Sequence, residues 1–177
     1  MKKVLLLTIF AALMMISSAA VAQTTASGTL TVTATVTGSI NLVFNSDAAG
    51  LALSSGAGTN AATLAFGNVS AFGAIPAGIV RSTTATNFTV SSAVDVLVTK
   101  TNSASANYTL KAQLGSADAV NTWAVGGVAV TNAAQSTLTA TGTYAANSNF
   151  PVAITVPFTT ASGTLISNTI NYVATAN

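Results

Sequence analysis

The sequence predicts an all-β protein, a single antiparallel β-sandwich of about 8–10 strands. Three observations lead to it. Apolar and hydroxylated residues alternate with period two through long stretches of the chain. Gly126-Gly127 separates two apolar alternations in a register that suits a tight hairpin. No helical period survives past the first 22 residues.

Those first residues have their own logic. Lys2 and Lys3 precede the apolar run Val4 to Ile16, and the small-residue triplet Ala20-Val21-Ala22 stands before Gln23. Charge, apolar run and cleavage site in that order make a secretory signal peptide, so residues 1–22 are expected to be removed. What remains is 177 − 22 = 155 residues, 23–177, enough for one domain with a proper core.

The longest alternation is Ser27 to Phe44, SGTLTVTATVTGSINLVF. Its even positions are apolar, Leu30, Val32, Ala34 and Val36, then Ile40, Leu42 and Phe44 after Gly38, while threonines fill most odd positions before Gly38. At about 3.3 Å per residue, Thr29 to Phe44 would run some 50 Å, more than twice an ordinary strand. A tight turn at Gly38-Ser39 would oppose Thr37 to Ile40 and mix the two faces. The stretch is therefore expected to break at Gly38, with Ile40 to Phe44 in the domain's own core and residues 23–37 free to act as a donor strand.

Turn residues then run from Asn45 to Gly58, followed by a short strand at Thr63 to Phe66 that stops at Gly67-Asn68. Phe88 to Val90, Val94 to Val98 and the alternation Tyr108, Leu110, Ala112, Leu114 are the next strands, with a solvated turn at Thr101 to Asn107. A two-residue turn at Gly126-Gly127 pairs Val125 with Val128 and Trp123 with Val130, which brings four apolar side chains to one face. Further strands follow at Leu138 to Tyr144 and Val152 to Phe158, where Pro157 favours an edge or a strand end. The last spans about Ile166 to Ala174, with Ile170 and Tyr172 facing inward.

Composition narrows the chemistry. There is no His, Cys or Glu, so Ser-His-Asp and Cys-His catalysis, histidine metal sites and glutamate acid–base pairs all lack their parts. Beyond the leader the charges are Arg81, Lys100 and Lys111 against Asp47, Asp95 and Asp118, a formally neutral set with no basic patch for nucleic acid or anionic lipid. Asp47 and Asp118 look like turn residues, and nothing in the aspartate spacing suggests an acid–base pair. A Lys–Asn isopeptide link through Lys100 or Lys111, assisted by Asp95, would need all three groups buried. Trp123, Tyr108, Tyr144 and Tyr172 stand at apolar positions, where a core role outweighs a sugar-stacking one. No enzyme, cofactor or metal is expected.

The mean hydropathy is +0.64, yet after Ala22 no apolar run approaches the ~18 residues of a spanning helix. The few aromatics are too sparse for the two girdles of an outer-membrane barrel. Without cysteine, packing and strand pairing alone must hold the fold. Weakly charged strands with open edges add readily to one another, so the composition suits a protein that assembles.

Three segments, TLTVTATVTGSINL, TLAFGNV (Thr63 to Val69) and the terminal SGTLISNTINYVATAN (Ser162 to Asn177), resemble bacterial fimbrial subunits and spore coat protein U domains, in a cysteine-free variant. The resemblance implies an Ig-like, pilin-like sandwich exported through the periplasm to the cell surface or beyond. It also implies a filament or other oligomer of like subunits, with a possible periplasmic chaperone. Assembly would proceed by strand donation, with Leu30, Val32, Ala34 and Val36 as the face presented to a neighbour. The alternative expectation is a self-complemented monomer that binds carbohydrate or another surface ligand.

Overall fold

A computed structural model describes residue 27 and residues 29–177. The expected signal peptide lies outside the described residues. Val36–Asn177 forms one compact unit. Its strands are β1 (Ser39–Ser46), β2 (Val80–Thr83), β3 (Asn87–Ser92), β4 (Val94–Thr101), β5 (Tyr108–Leu114), β6 (Thr122–Val125), β7 (Val128–Val130), β8 (Ser136–Gly142), β9 (Asn147–Asn149), β10 (Val152–Pro157) and β11 (Ile170–Ala176). Among the described residues there is no helix.

Every pairing is antiparallel, in three sheets of order β1-β4-β9, β2-β3-β10-β6-β7 and β11-β5-β8. The period-two pattern is what fixes the faces. Phe88 and Val90 on β3, Val94, Val96 and Val98 on β4, and Val152, Ile154 and Val156 on β10 are buried, while the residues between them stay half-exposed. On β5 the same alternation buries Tyr108, Leu110, Ala112 and Leu114. The arrangement is sandwich-like, with apolar faces turned inward in two clusters. Phe44, Leu138, Phe150 and Tyr172 pack against both.

The Gly126-Gly127 hairpin forms in the expected register, Trp123 opposite Val130 and Val125 opposite Val128. Both glycines have positive φ, 57° and 78°, the backbone that a two-residue hairpin turn requires. Pro157 ends β10, where the lack of an N–H costs the ladder least. The opening alternation also divides as its parity requires: β1 begins at Ser39, and residues 29–38 form no strand.

Two expectations fail in an informative way. Thr63 to Phe66 is not a strand; apart from a single bridge between Ser55 and Thr63 it has no ladder, although Leu64 and Phe66 are half-buried and Thr63 and Ala65 exposed. The last strand starts at Ile170 and not near Ile166, again although Ile166 and Asn168 are half-buried and their neighbours exposed. Both segments have the burial rhythm of strands without a hydrogen-bonded partner. The number of strands is eleven among the described residues, above the expected 8–10; β2 and β9 are four- and three-residue pieces too short to register as a pattern.

The long connection from β1 to β2 is tied to this framework by polar contacts. Ser92 is the one buried polar residue among those described, and its Oγ accepts the Leu51 N–H at 2.7 Å. The Arg81 guanidinium donates to the Ser70 and Gly73 carbonyls at 2.9 and 2.7 Å. Replacing Ser92 with Ala leaves the Leu51 N–H without its acceptor and is expected to cost about 1–3 kcal/mol in urea unfolding. Amide exchange at Leu51 should rise in the same variant, and an unchanged midpoint would show that the contact does not hold the loop.

Candidate strand-acceptor groove

A concavity of about 1780 Å³ opens onto the inner face of β3, β6 and β10. Its floor is Phe88, Val90, Trp123, Val152, Ile154 and Val156. One wall is β1 with residues 60–71, the other β11 with residues 160–169. These walls include the two segments that alternate in burial but have no ladder. No Asp, Glu, Lys or Arg lines the space. A smaller hollow of about 360 Å³ lies between Gly38–Ile40 and Ala174–Ala176, with Ser103 beside them. The start of β1 therefore stands next to the end of β11, and the two strands run in opposite directions.

The main chain along both walls has free groups. Along a strand, alternate residues direct their N–H and C=O to the same edge. The Phe44 N–H donates to the Thr59 carbonyl and its own carbonyl accepts from the Gly58 N–H, at 2.8 and 2.7 Å, so even-numbered residues of β1 point away from β4. That leaves Ile40 and Leu42 directed at the groove. On β11 the Thr169 carbonyl and the Asn177 N–H bond across to Gly115 and Asn107, so odd-numbered residues serve β5. Ile170, Tyr172, Ala174 and Ala176 direct theirs outward, and among the described residues β11 pairs with β5 alone.

Aromatic contacts shape the walls. Phe44 and Tyr172 meet edge-to-face across the groove, with centroids 5.0 Å apart and planes at 71°. Burial pushes the Tyr172 phenol above its ordinary range. The groove thus carries no charge at neutral pH. On the floor, the Trp123 indole N–H donates to Asp118 Oδ2 at 2.8 Å. Asp118 Oδ1 also accepts the N–H groups of Val120 and Asn121, at 3.0 and 2.8 Å. This turn carboxylate orients the largest side chain beneath the groove.

Leu30, Val32 and Val36 are 88%, 80% and 74% exposed, and Ala34 is exposed too. Single exposed aliphatics are ordinary, but a row of them at period two is an unpartnered apolar strand face.

The remaining candidate chemistry does not converge. Asp47 and Asp95, which sequence spacing does not connect, share one amide: Asn149 Nδ2 donates to Asp47 Oδ2 at 2.8 Å and to Asp95 Oδ1 at 3.3 Å. Asn147 adds a bond to Asp95 Oδ2 at 3.2 Å. These residues lie on the β1-β4-β9 sheet or just beyond it, and none lines the groove, so amides and not a substrate cleft occupy the carboxylates. Lys100 donates to the Ser105 carbonyl and sits 5.0 Å over the Tyr144 ring; five residues from Asp95 on the same strand, it faces the other way. The three groups of an isopeptide site are not assembled. Trp123 and Tyr108 are core residues, while Tyr172 is shared between core and groove.

The sequence reading missed the groove's walls. Their signal was present: the even positions Ile166, Ile170, Tyr172, Ala174 and Ala176, interrupted by Asn168, read as one strand face. No protein-family model matches the chain, and no curated protein or solved structure is significantly similar to it.

For Asp118, burial pushes the carboxyl up, but bonds from the Asn121 N–H, the Trp123 indole, the Asn121 amide and the Val120 N–H outweigh it and hold it down to about 2. A carboxyl whose folded value lies below the usual 3.8 stabilises the fold fully above about pH 4 and loses that contribution as pH falls through about 2. Stability should therefore decline between pH 4 and pH 2 in the parent protein and decline less in Asp118→Asn. Identical acid profiles, followed by Trp123 fluorescence, would rule this out.

Proposed function

We propose that the protein is a non-enzymatic, exported structural subunit, an incomplete β-sandwich that completes itself with a strand from a second copy in a cell-surface or extracellular assembly. The observation that carries this reading is the groove: an uncharged apolar trough whose two walls have strand-like burial and outward-facing main-chain groups without partners. A strand laid between them would supply hydrogen bonds to both walls and four apolar side chains to the floor.

The Thr29 to Thr37 stretch has the matching chemistry. It is uncharged, as the groove is, and its apolar row Leu30, Val32, Ala34 and Val36 falls on one face. Nine residues span about 30 Å as a strand, ample for the seven-residue β11 edge. Some widening accompanies insertion. β1 and β11 come within 8 Å between Cα atoms, whereas two strand spacings are about 9.5 Å, so the walls must part by at least ~1.5 Å.

A cysteine-free subunit of the fimbrial or coat protein U type, as three short segments lead one to expect, would be exported, with residues 1–22 as the expected leader. Passage through a periplasm would leave the trough open until assembly, which gives a periplasmic chaperone a surface to cover. A monomeric module that binds carbohydrate or another surface ligand is the competing outcome.

Replacing Val32 and Val36 together with Asp puts two charges into a floor that cannot solvate them. The double variant should stay soluble and folded by circular dichroism while losing polymers in electron micrographs of the concentrated protein. Filaments from the double variant would sink the donor role, and a parent protein that sediments as a monomer at every concentration would favour the ligand-binding module.

A further inference from the structure

The loop that leads into β2 carries a second apolar surface. Ala71 to Val80 reads AFGAIPAGIV, ten consecutive residues without a polar side chain and the longest such run beyond the expected leader. Residues 72–77 are nonetheless exposed without interruption, and Ile79, where the run turns into the sheet, is buried. Phe72 is 72% and Ile75 44% exposed, and the half-exposed Phe158 has its ring centroid 6.0 Å from that of Phe72. We propose that this loop is a membrane-insertion element: residues 72–77, with Phe158 beside them, enter the headgroup and acyl boundary of a lipid bilayer and hold the protein against it.

The first support is the polar accounting of the loop. A segment that enters an apolar medium must satisfy its own main chain, since no water remains to do so. Four carbonyls here have internal donors. The Arg81 guanidinium serves those of Ser70 and Gly73 at 2.9 and 2.7 Å, the Ser70 hydroxyl serves that of Phe72 at 2.6 Å, and the Ile79 N–H serves that of Pro76 at 3.3 Å. Pro76 has no N–H to leave unpaired. The polar side chains at the base of the loop, Ser70 and Arg81, are thus turned to its own carbonyls.

The second support is what the loop does not carry. A protein or sugar partner is held by hydrogen-bonding groups around an apolar centre, at about one bond per 100–200 Å² in protein interfaces. Residues 71–80 have no side chain that could make one, and no charge to attract anionic headgroups. Burial of apolar area is the interaction left to them, and lipid supplies it without asking for hydrogen bonds.

The loop is also held in place before any contact. Arg81 lies on the paired strand β2, and Ile79 is buried. The Phe158 ring stacks on the buried Phe88, with centroids 6.3 Å apart and planes at 19°, and its N–H donates to the Thr86 carbonyl at 2.9 Å. Little ordering is left to be done on binding. Phe72 and Ile75 do not line the strand-acceptor groove, so lipid contact and strand donation are independent of one another.

Flotation with phosphatidylcholine vesicles tests the proposal on the chain without its expected leader, residues 23–177. The parent should rise with the vesicles, and added salt should not release it, because no charge pairing is involved. Phe72→Ser with Ile75→Ser changes two exposed positions outside both core clusters. That double variant should keep the parent's circular dichroism and partition at least about tenfold more weakly. An indole introduced by Phe72→Trp should be quenched by phosphatidylcholine brominated on its acyl chains, with the buried Trp123 as the unquenched reference. Parent protein that stays in the aqueous layer or is released by salt, a double variant that floats as well as the parent, or an unquenched indole in Phe72→Trp protein that floats would each overturn the proposal. A double variant whose sedimentation without lipid differs from the parent's would overturn it too, by assigning the loop to a contact between copies.

Discussion

Main-chain hydrogen bonding is the constraint on which this fold depends. A strand has two edges, and a layered β protein is finished only when each inner edge has a partner or water. Here β3, β4, β5, β6 and β10 are flanked on both sides, while of the edge strands β1, apart from its Phe44–Thr59 bridge, and β11 border the groove with one side unpaired. Everything distinctive about the molecule lies along those two unfinished edges: the uncharged trough, the two wall segments that rise and fall in burial without a ladder, and the Phe44–Tyr172 contact between them. The floor beneath is well built, because Val90, Val125 and Val156 are almost fully buried and Trp123 is held by Asp118. The result is a packed floor between two walls that have free main-chain groups.

Packing does the work that crosslinks do in many exported domains. With no cysteine, the two clusters and the residues that bridge them must supply the stability, at about 1.5–3 kcal/mol for each fully buried aliphatic side chain. Charge contributes little. The outer faces are tied by short neutral contacts, such as the Thr89–Thr155 hydroxyl pair at 2.7 Å and the amide bonds from Asn147 and Asn149 to Asp95 and Asp47. A surface of hydroxyls and amides leaves edge-to-edge association unopposed by repulsion.

Much of the fold was legible in the sequence, for identifiable reasons. Period-two alternation is a local property, so β1, β3, β4, β5 and β10 could be read residue by residue, and Gly126-Gly127 gave a register because turn geometry and side-chain parity agreed there. Parity also placed the break at Gly38, which the structure puts one residue before β1. What alternation cannot supply is the partner. Thr63 to Phe66 and Ile166 to Asn168 have the pattern of strands and fail to be strands because no ladder forms beside them beyond the single Ser55–Thr63 bridge, a fact about distant parts of the chain. The groove was invisible for the same reason. Asp47 and Asp95 likewise come to share Asn149 only because β1, β4 and β9 are neighbours, a pairing across more than a hundred residues.

The placement of the basic residues has a consequence for resistance to proteolysis. From Val4 onward the chain holds three, Arg81 in β2, Lys100 in β4 and Lys111 in β5, and the last 66 residues hold none. Each lies within a paired strand, and the Arg81 side chain is engaged by two loop carbonyls. A protease that cuts after basic residues needs an extended, unpaired segment, and the long connections of this molecule offer it no such bond. Its loops can be long and glycine-rich without becoming points of attack for trypsin-like enzymes.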